Sequence, residues 1–252
     1  MSETAAPATA ELLKLISDDL RWRLILAMRA GDLQVGELAT QIGSPQSLIS
    51  YHLGVLRQAG LVQVHRSDAD ARTTYYGLNL AAFVSLYTQI GQVWQIPPEL
   101  LPVVHDLALP TPPPQVIFLC TANSARSQIA EAWLRQLSAG RVVARSAGTK
   151  PRTLHPHTVA VMAEVGIDIG YQSAKGYEAL REMKPDMVVS VCDIAREECA
   201  YWGSEVRHIH WSIPDPVAVP GDLATQLAAF RRVRDQLRSR VAGLLPVLAQ
   251  QR

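Results

Sequence analysis

The sequence predicts two domains of different class. An α+β unit of short helices closed by a β-hairpin occupies residues 1–108, and an α/β unit built on a parallel sheet occupies 115–252. Three observations predict this. Pro110-Thr111-Pro112-Pro113-Pro114 can continue neither a helix nor a central strand, so 109–114 reads as a stiff linker. Before it, two helical apolar patterns flank a turn at Gly43; after it, a strand-like run ends in Cys-x5-Arg-Ser and passes into a helix. At roughly 150 residues per domain, a chain of 252 holds both units.

Composition narrows the class further. With 48% hydrophobic and 19% charged residues, a packed core is readily built and a disordered chain is excluded. No apolar run approaches the ~20 residues of a membrane helix, and Met1–Ala10 lacks a signal pattern, so the expectation is a cytoplasmic protein with no membrane partner. Three cysteines, all beyond residue 119, are too few and too odd in number for a disulfide framework. The net charge of +1 hides an asymmetry. Residues 1–108 carry seven basic against ten acidic side chains, net −3, whereas 115–252 carry 17 against 13, net +4.

In the first unit, Leu20, Leu24, Ile25 and Met28 recur at helical spacing within Leu12–Leu33, predicting one helix stopped by Gly31. A second helix is expected over Val35–Ile42, with Val35, Leu38, Ala39 and Ile42 buried. Gly43 then turns the chain, and Ser44-Pro45 has the N-cap and first-turn chemistry to open a third helix running to about Gln58 and capped by Gly60. Helix, glycine turn, longer helix is the helix-turn-helix order. On the third helix Ile49, Leu53 and Leu56 face inward. Gln46, Ser47, Ser50 and Gly54 lie opposite, flanked by Tyr51 and His52, and small hydrogen-bonding side chains suit base edges in a major groove. Leu61–Arg66 and Arg72–Tyr76 alternate around a polar tip at Ser67–Ala71, predicting a hairpin wing. Together these elements make a winged helix-turn-helix.

The run Ser44-Pro45-Gln46-Ser47-Leu48-Ile49-Ser50-Tyr51-His52-Leu53-Gly54-Val55-Leu56-Arg57-Gln58-Ala59-Gly60-Leu61-Val62 resembles the ArsR family of winged-helix repressors. The resemblance implies double-stranded DNA as a partner and a homodimer paired through terminal helices, including the amphipathic stretch Leu80–Val93. The family's arsenic sensors carry a cysteine pair in the second helix; Gln34-Val35-Gly36-Glu37-Leu38 has no thiol, which argues against metalloid sensing there. With a unit of net −3, DNA affinity rests on the local charges of Arg57, Arg66 and Arg72.

In the second unit, Gln115–Leu119 is a strand leading into Cys120-Thr121-Ala122-Asn123-Ser124-Ala125-Arg126-Ser127, with a helix expected from Gln128 to Leu137. Such a loop turns successive backbone N–H groups toward an anion, and the following helix aims its positive end at the same point. Arg126 can grip two oxygens of that anion, and the same field favours the Cys120 thiolate, to which Ser127 can donate a hydrogen bond. Cys192 follows the strand-like Met187–Val191, so the end of a parallel sheet should bring it to the same edge as Cys120.

With Ser146-Ala147-Gly148-Thr149 and Asp215-Pro216, the unit resembles the low-molecular-weight tyrosine phosphatases, which implies their parallel-sheet fold and makes Asp215 the general acid. Cys192 and Cys199 within Val191–Cys199 go beyond what a phosphatase needs, and Val217-Ala218 stands where phosphatases carry aromatics. The pattern, including His210–Pro216 and Phe230–Asp235, resembles the thioredoxin-coupled arsenate reductases. That resemblance implies arsenate as substrate, no bound cofactor, thioredoxin as external reductant and a thiol relay. Cys120 attacks arsenate, Cys192 attacks Cys120, Cys199 attacks Cys192, and the exported disulfide is reduced.

Residues seven apart on a helix are about 10 Å apart along its axis, against a disulfide Cα separation of about 4.4–6.8 Å, so Asp193–Cys199, if helical when reduced, must unwind or loop out on oxidation. Two departures stand out. Ala122 replaces a glycine common in the loop, and of a potassium set matching Asn123, Glu131 and Ser146, the aspartate position falls at Lys175, predicting indifference to potassium. His155-Pro156-His157 lacks metal-ligand spacing, and no metal is expected. Arg231, Arg232, Arg234, Arg238 and Arg240 read as a solvated helix face. The alternatives left open are a protein tyrosine phosphatase and a purely regulatory thiol-based arsenic or redox sensor.

Overall fold

The computed structural model describes residues 9–96, 108–198, 202–203 and 205–250. The chain divides into two compact units, Met1–Arg66 with Ala71–Asp106, and Ser67–Asp70 with Leu107–Arg252.

The first unit runs α1 (Thr9–Ile16), α2 (Asp19–Met28), β1 (Leu33–Gln34), α3 (Val35–Ile42), α4 (Gln46–Gln58), β2 (Val62–Arg66), β3 (Thr74–Leu78) and α5 (Leu80–Val93). The single helix expected over Leu12–Leu33 is broken in two at Ser17-Asp18. Asp18 takes an extended backbone, and its carboxylate accepts from Arg21 N at 3.0 Å, so a local cap outcompetes the continuous apolar stripe. Ser44 is not the cap of α4: Pro45 holds that position with no side-chain bond, and its carbonyl accepts from Leu48 and Ile49. Gly60 does close the helix. At φ +74° it donates to Arg57 O while Leu61 N reaches Leu56 O, the paired bonds of a Schellman motif.

The hairpin β2–β3 is antiparallel with Val64 opposite Tyr76, and β1 adds to β3 to give a sheet of order β1-β3-β2. At two residues β1 is too short to show a period. Leu24, Ile25, Met28, Leu38, Ile49, Leu53, Leu56 and Leu61 form the core, each side chain contributing roughly 1.5–3 kcal/mol by leaving water. The expected inward triad of α4 is fully buried.

The second unit runs β4 (Gln115–Cys120), α6 (Arg126–Leu137), β5 (Val143–Gly148), α7 (Pro156–Ala163), β6 (Met187–Ser190), α8 (Asp193–Glu198), β7 (Arg207–His210) and α9 (Leu223–Ala249). Its four strands are all parallel in the order β5-β4-β6-β7. Val116–Cys120 and the whole of β6 are buried, as expected of strands covered on both faces. The chain leaves β4 for β5 on one side and returns to β6 on the other, so the crevice at their carboxyl ends is the switch point of an α/β sheet. Leu119 pairs with Ser190 there, which brings the residues just after each strand together.

α6 begins two residues earlier than expected, with Arg126 in its first turn. Of the basic face expected on α9, Arg232 and Arg238 are exposed but Arg234 departs from it. Arg234 is buried, donating to Val161 O at 2.9 Å and pairing with Glu164 and Asp235, while Phe230, Val233, Leu237, Val241 and Leu244 fill the groove beside α6 and α7. Among the described residues no helix is long and apolar enough to cross a membrane.

Candidate active site

The segment between β4 and α6 wraps around the Cys120 sulfur. Every carbonyl from Cys120 to Ser124 is turned outward and bonded. Cys120 O accepts from Thr149 N at 3.2 Å, Thr121 O from Lys150 N at 2.8 Å, Ala122 O from Arg152 N at 2.9 Å, and Ser124 O from His155 N at 3.0 Å. Asn123 O accepts from Gln128 Nε2 at 3.0 Å. With the carbonyls fixed outside, the N–H groups face the interior of the loop, as an oxyanion cradle requires. Asn123 N donates to the Cys120 sulfur at 3.2 Å, while the amides of Ala122, Ser124 and Ala125 have no partner among the described residues. The bracing segment 149–155 was not foreseen; only Gly148 signalled it. A Cβ on Gly148 would stand 2.5 Å from Thr121 O and 2.8 Å from Asn123 N, so nothing but glycine lets β5 pass so close to the loop.

Ala122 needs no glycine. The left-handed residue of the loop is Asn123, at φ +47°, a conformation asparagine tolerates better than most. Its side chain organises the interior. Asn123 Nδ2 donates to Ser127 Oγ and to Ser146 Oγ, both at 2.9 Å, and its Oδ1 accepts from Lys175 N at 2.8 Å. Ser127 Oγ, which accepts from Asn123, lies 2.9 Å from the Cys120 sulfur and has a hydrogen to offer once that sulfur is a thiolate. Ser146 in turn donates to Glu131 Oε2 at 2.6 Å. Glu131 is buried beneath the loop and answered by two cations, Arg135 at 2.6 Å and Lys175 at 4.0 Å. Asn123, Glu131, Ser146 and Lys175 therefore form one connected support; Arg135 is a member that the sequence did not single out.

Arg126 is buried, its Nη1 donating to Ile213 O at 3.0 Å and its Nη2 standing 3.2 Å from Asp215 Oδ2. Asp215 is half-buried; its Oδ1 accepts from Val217 N, which fixes the carboxylate beside the guanidinium. Val217 itself is exposed, with no aromatic ring in its place.

Cys120 and Cys192 are both free and buried. Cys192 Sγ lies 3.4 Å from Thr121 Oγ1, beside the nucleophile's own loop, and accepts from Ala195 N at 3.4 Å. Burial pushes the Cys192 thiol up, and the nearby Cys120 adds to this, while the Arg126 charge and the Thr121 contact pull the other way. Cys199 lies outside the described residues.

Sequence reading missed the group behind Cys192. The Asp193 carboxylate is buried and accepts from Ser212 Oγ at 2.7 Å, with His210 Nε2 at 2.9 Å from the same oxygen. His210 Nδ1 meets Ser190 Oγ at 2.8 Å. Burial opposes the Asp193 charge, yet the His210 and Ser212 hydrogen bonds hold its carboxyl below the ordinary range. Nothing in the local sequence marks this network, because its members come from two segments, 190–193 and 210–212, that are distant in the chain.

In the first unit, Gln46, Ser47, Ser50, Tyr51 and Arg57 are exposed along α4, and Arg66 and Arg72 are exposed at the two arms of the hairpin. His52 departs from expectation. Its side chain is 12% exposed and turned toward Asp18, 3.6 Å away, because its helix position points back over α2, so it cannot reach a base edge with the others.

Residues 115–252 match the family "Low molecular weight phosphotyrosine protein phosphatase", and residues 18–64 match "Bacterial regulatory protein, arsR family". An arsenate reductase of Halalkalibacterium halodurans is 36% identical over 126 residues, 50% of this chain and 91% of that protein. A glutaredoxin arsenate reductase of Synechocystis sp. is 34% identical over 131 residues, covering 52% and 95%. A solved structure described as an arsenate reductase in the phosphate binding state is 32% identical, covers 54% of this chain and 98% of its own, and has a TM-score of 0.48. The chain belongs to the low molecular weight phosphotyrosine protein phosphatase family, in the company of its arsenate reductases, and carries an arsR-family helix-turn-helix ahead of that domain.

Proposed function

We propose that the second unit reduces arsenate to arsenite and that the first binds double-stranded DNA, a reader over 1–108 joined by the linker 109–114 to a reductase over 115–252 that together serve arsenic resistance. The observation that carries the chemistry is the second buried thiol, Cys192, 3.4 Å from the hydroxyl of Thr121 in the anion loop. Phosphoester hydrolysis needs only Cys120, Arg126 and an acid, and gives a buried Cys192 nothing to do.

In this reading the amides of Thr121–Ser127 and the Arg126 guanidinium hold arsenate, Cys120 attacks arsenic, and Asp215 protonates the departing oxygen. Cys192, as thiolate, attacks the Cys120 sulfur. The electron pair of the sulfur–arsenic bond passes to arsenic, which leaves as arsenite, and a Cys120–Cys192 disulfide remains. Cys199 attacks Cys192 and releases the Cys120 thiolate, and an external dithiol reduces Cys192–Cys199. Thioredoxin is the expected reductant; the glutaredoxin-type relative makes glutaredoxin the comparison arm.

Single cysteine variants test the order of events. Cys120→Ser and Cys192→Ser should yield no arsenite. Cys199→Ser should yield one arsenite per chain and stop as a Cys120–Cys192 disulfide; repeated turnover by Cys199→Ser would refute the relay. Steady aryl-phosphate hydrolysis with no arsenite from the native chain would favour the phosphatase reading.

For the reader, Gln46, Ser47, Ser50 and Tyr51 face base edges and Arg57, Arg66 and Arg72 meet phosphates, in a homodimer paired through α5, where Val84, Tyr87 and Val93 are exposed. Fluorescence anisotropy on upstream DNA should show salt-sensitive binding, weakened by Arg72→Ala. Binding indifferent to salt would exclude this mode.

A further inference from the structure

The relay places opposite demands on the two ends of α8. Cys192 must stay at the anion loop long enough to attack Cys120, yet the helical turns of Asp193–Glu198 that follow it hold the chain too extended for a disulfide between residues seven apart. The ends of α8 are held very differently. At the start, Asp193 is buried and meets Ser212 at 2.7 Å and His210 at 2.9 Å, with His210 held in turn by Ser190 at 2.8 Å. Ser190 closes β6, His210 closes β7 and Ser212 follows it, so this end is fastened to the sheet itself. At the other end, Glu198 is exposed at the surface and answered by the Thr149 hydroxyl and by Lys150 Nζ at 3.1 Å, with the lysine side chain 70% exposed. An exposed ion pair gives little net stability and yields to solvent, whereas a buried hydrogen-bonded carboxylate does not.

We propose that Asp193, held by His210 and Ser212, is a positioning residue that anchors Cys192 against the loop while α8 unwinds from its Glu198 end. The assignment rests on the relay reading of Cys192 and Cys199. Asp193 touches no reacting atom; it acts by fixing the backbone immediately after the attacking sulfur and by making the direction of unwinding one-sided.

Hydrogen exchange on the full chain, reduced and then oxidised with diamide (which takes two electrons from the Cys192 and Cys199 thiols), tests the direction. Amides of 196–198 should exchange at least about tenfold faster after oxidation, while those of 193–195 keep their protection. Equal loss at both ends, or loss confined to 193–195, overturns the anchor. Asp193→Ala should slow arsenite release in the first turnover about tenfold by loosening Cys192, yet leave Cys120 alkylation by iodoacetamide at the native rate. Native arsenite release in Asp193→Ala overturns the proposal, and so does an equal fall in Cys120 alkylation, which would mark a general lesion. His210→Gln keeps an N–H for the carboxylate and should retain native release, whereas His210→Leu should match Asp193→Ala; equal behaviour of the two would also overturn it. The exchange and alkylation readouts need no arsenate, so a native chain that forms no arsenite would sink the reductase reading while leaving the anchor to be judged on exchange alone.

Discussion

The two units handle polarity in opposite ways. In the first, the buried set is almost wholly apolar, with Asp32 the buried polar residue among those described, and the side chains proposed to read DNA stand on the outside of α4 and the hairpin. In the second, Asn123, Ser127, Gln128, Glu131, Ser146, Asp193, His210 and Ser212 are all buried, and Arg126 with them. The difference follows from the two tasks proposed for them. A surface that reads another macromolecule must be reachable and can stay solvated until it binds. A site that makes a thiolate attack an anion must hold its dipoles fixed and out of water beforehand, because reorganising them during the reaction would raise the barrier. Buried polar groups are costly unless each is satisfied, and the connected chain Glu131–Ser146–Asn123–Ser127–Cys120 is how this unit satisfies them.

The sharpest way to separate the units is through the apolar core of the first. Leu53→Ala empties a fully buried position and should cost about 2–5 kcal/mol in the unfolding of that unit, read by thermal denaturation, while arsenite formation at moderate temperature persists. Loss of both together would mean that the second unit depends on the first. Next in size, Arg126→Lys keeps the charge but forfeits the paired grip on two oxygens and should lower turnover on the order of 100-fold, about 2.7 kcal/mol. A kcat/KM near the native value would show that the backbone amides suffice.

A smaller effect comes from the raised Cys192 thiol. Only the thiolate attacks, and burial keeps that form scarce at neutral pH. The disulfide-forming step, followed by rapid quench in a single turnover, should therefore quicken toward about tenfold per pH unit as pH rises from 7 toward 9. A flat profile would place the limit elsewhere. Smallest of all is potassium. Lys175 Nζ already stands 4.0 Å from Glu131, so potassium at constant ionic strength should leave activity unchanged. A several-fold stimulation would show that the ammonium does not replace the ion, and Lys175→Asp should create such a response where none existed.

Much of this was legible in the chain. The turn glycines Gly43 and Gly60, the inward triad Ile49, Leu53 and Leu56, the hairpin arms and the strand-loop-helix around Cys120 are local patterns, set by φ preference and by the 3.6 and 2.0 periods. What misled was also local: the apolar stripe from Leu12 ran straight through Asp18, where one carboxylate cap outweighed it, and the basic residues of α9 concealed Arg234, whose charge is buried against Glu164 and Asp235. His52 fell on the right helix but on the wrong side of it, facing Asp18.

By itself, then, the sequence determined the two classes of unit and the residue types of the anion loop, because each depends on neighbours a few positions apart. Only the tertiary structure decided which groups brace that loop. Thr149, Lys150, Arg152 and His155 turn its carbonyls outward, Gly148 lets them approach, and Ser190, His210 and Ser212 meet around Asp193. These partners lie on strands that are adjacent in the sheet but distant in the chain, and a hydrogen bond depends on separation in space, which no local pattern encodes.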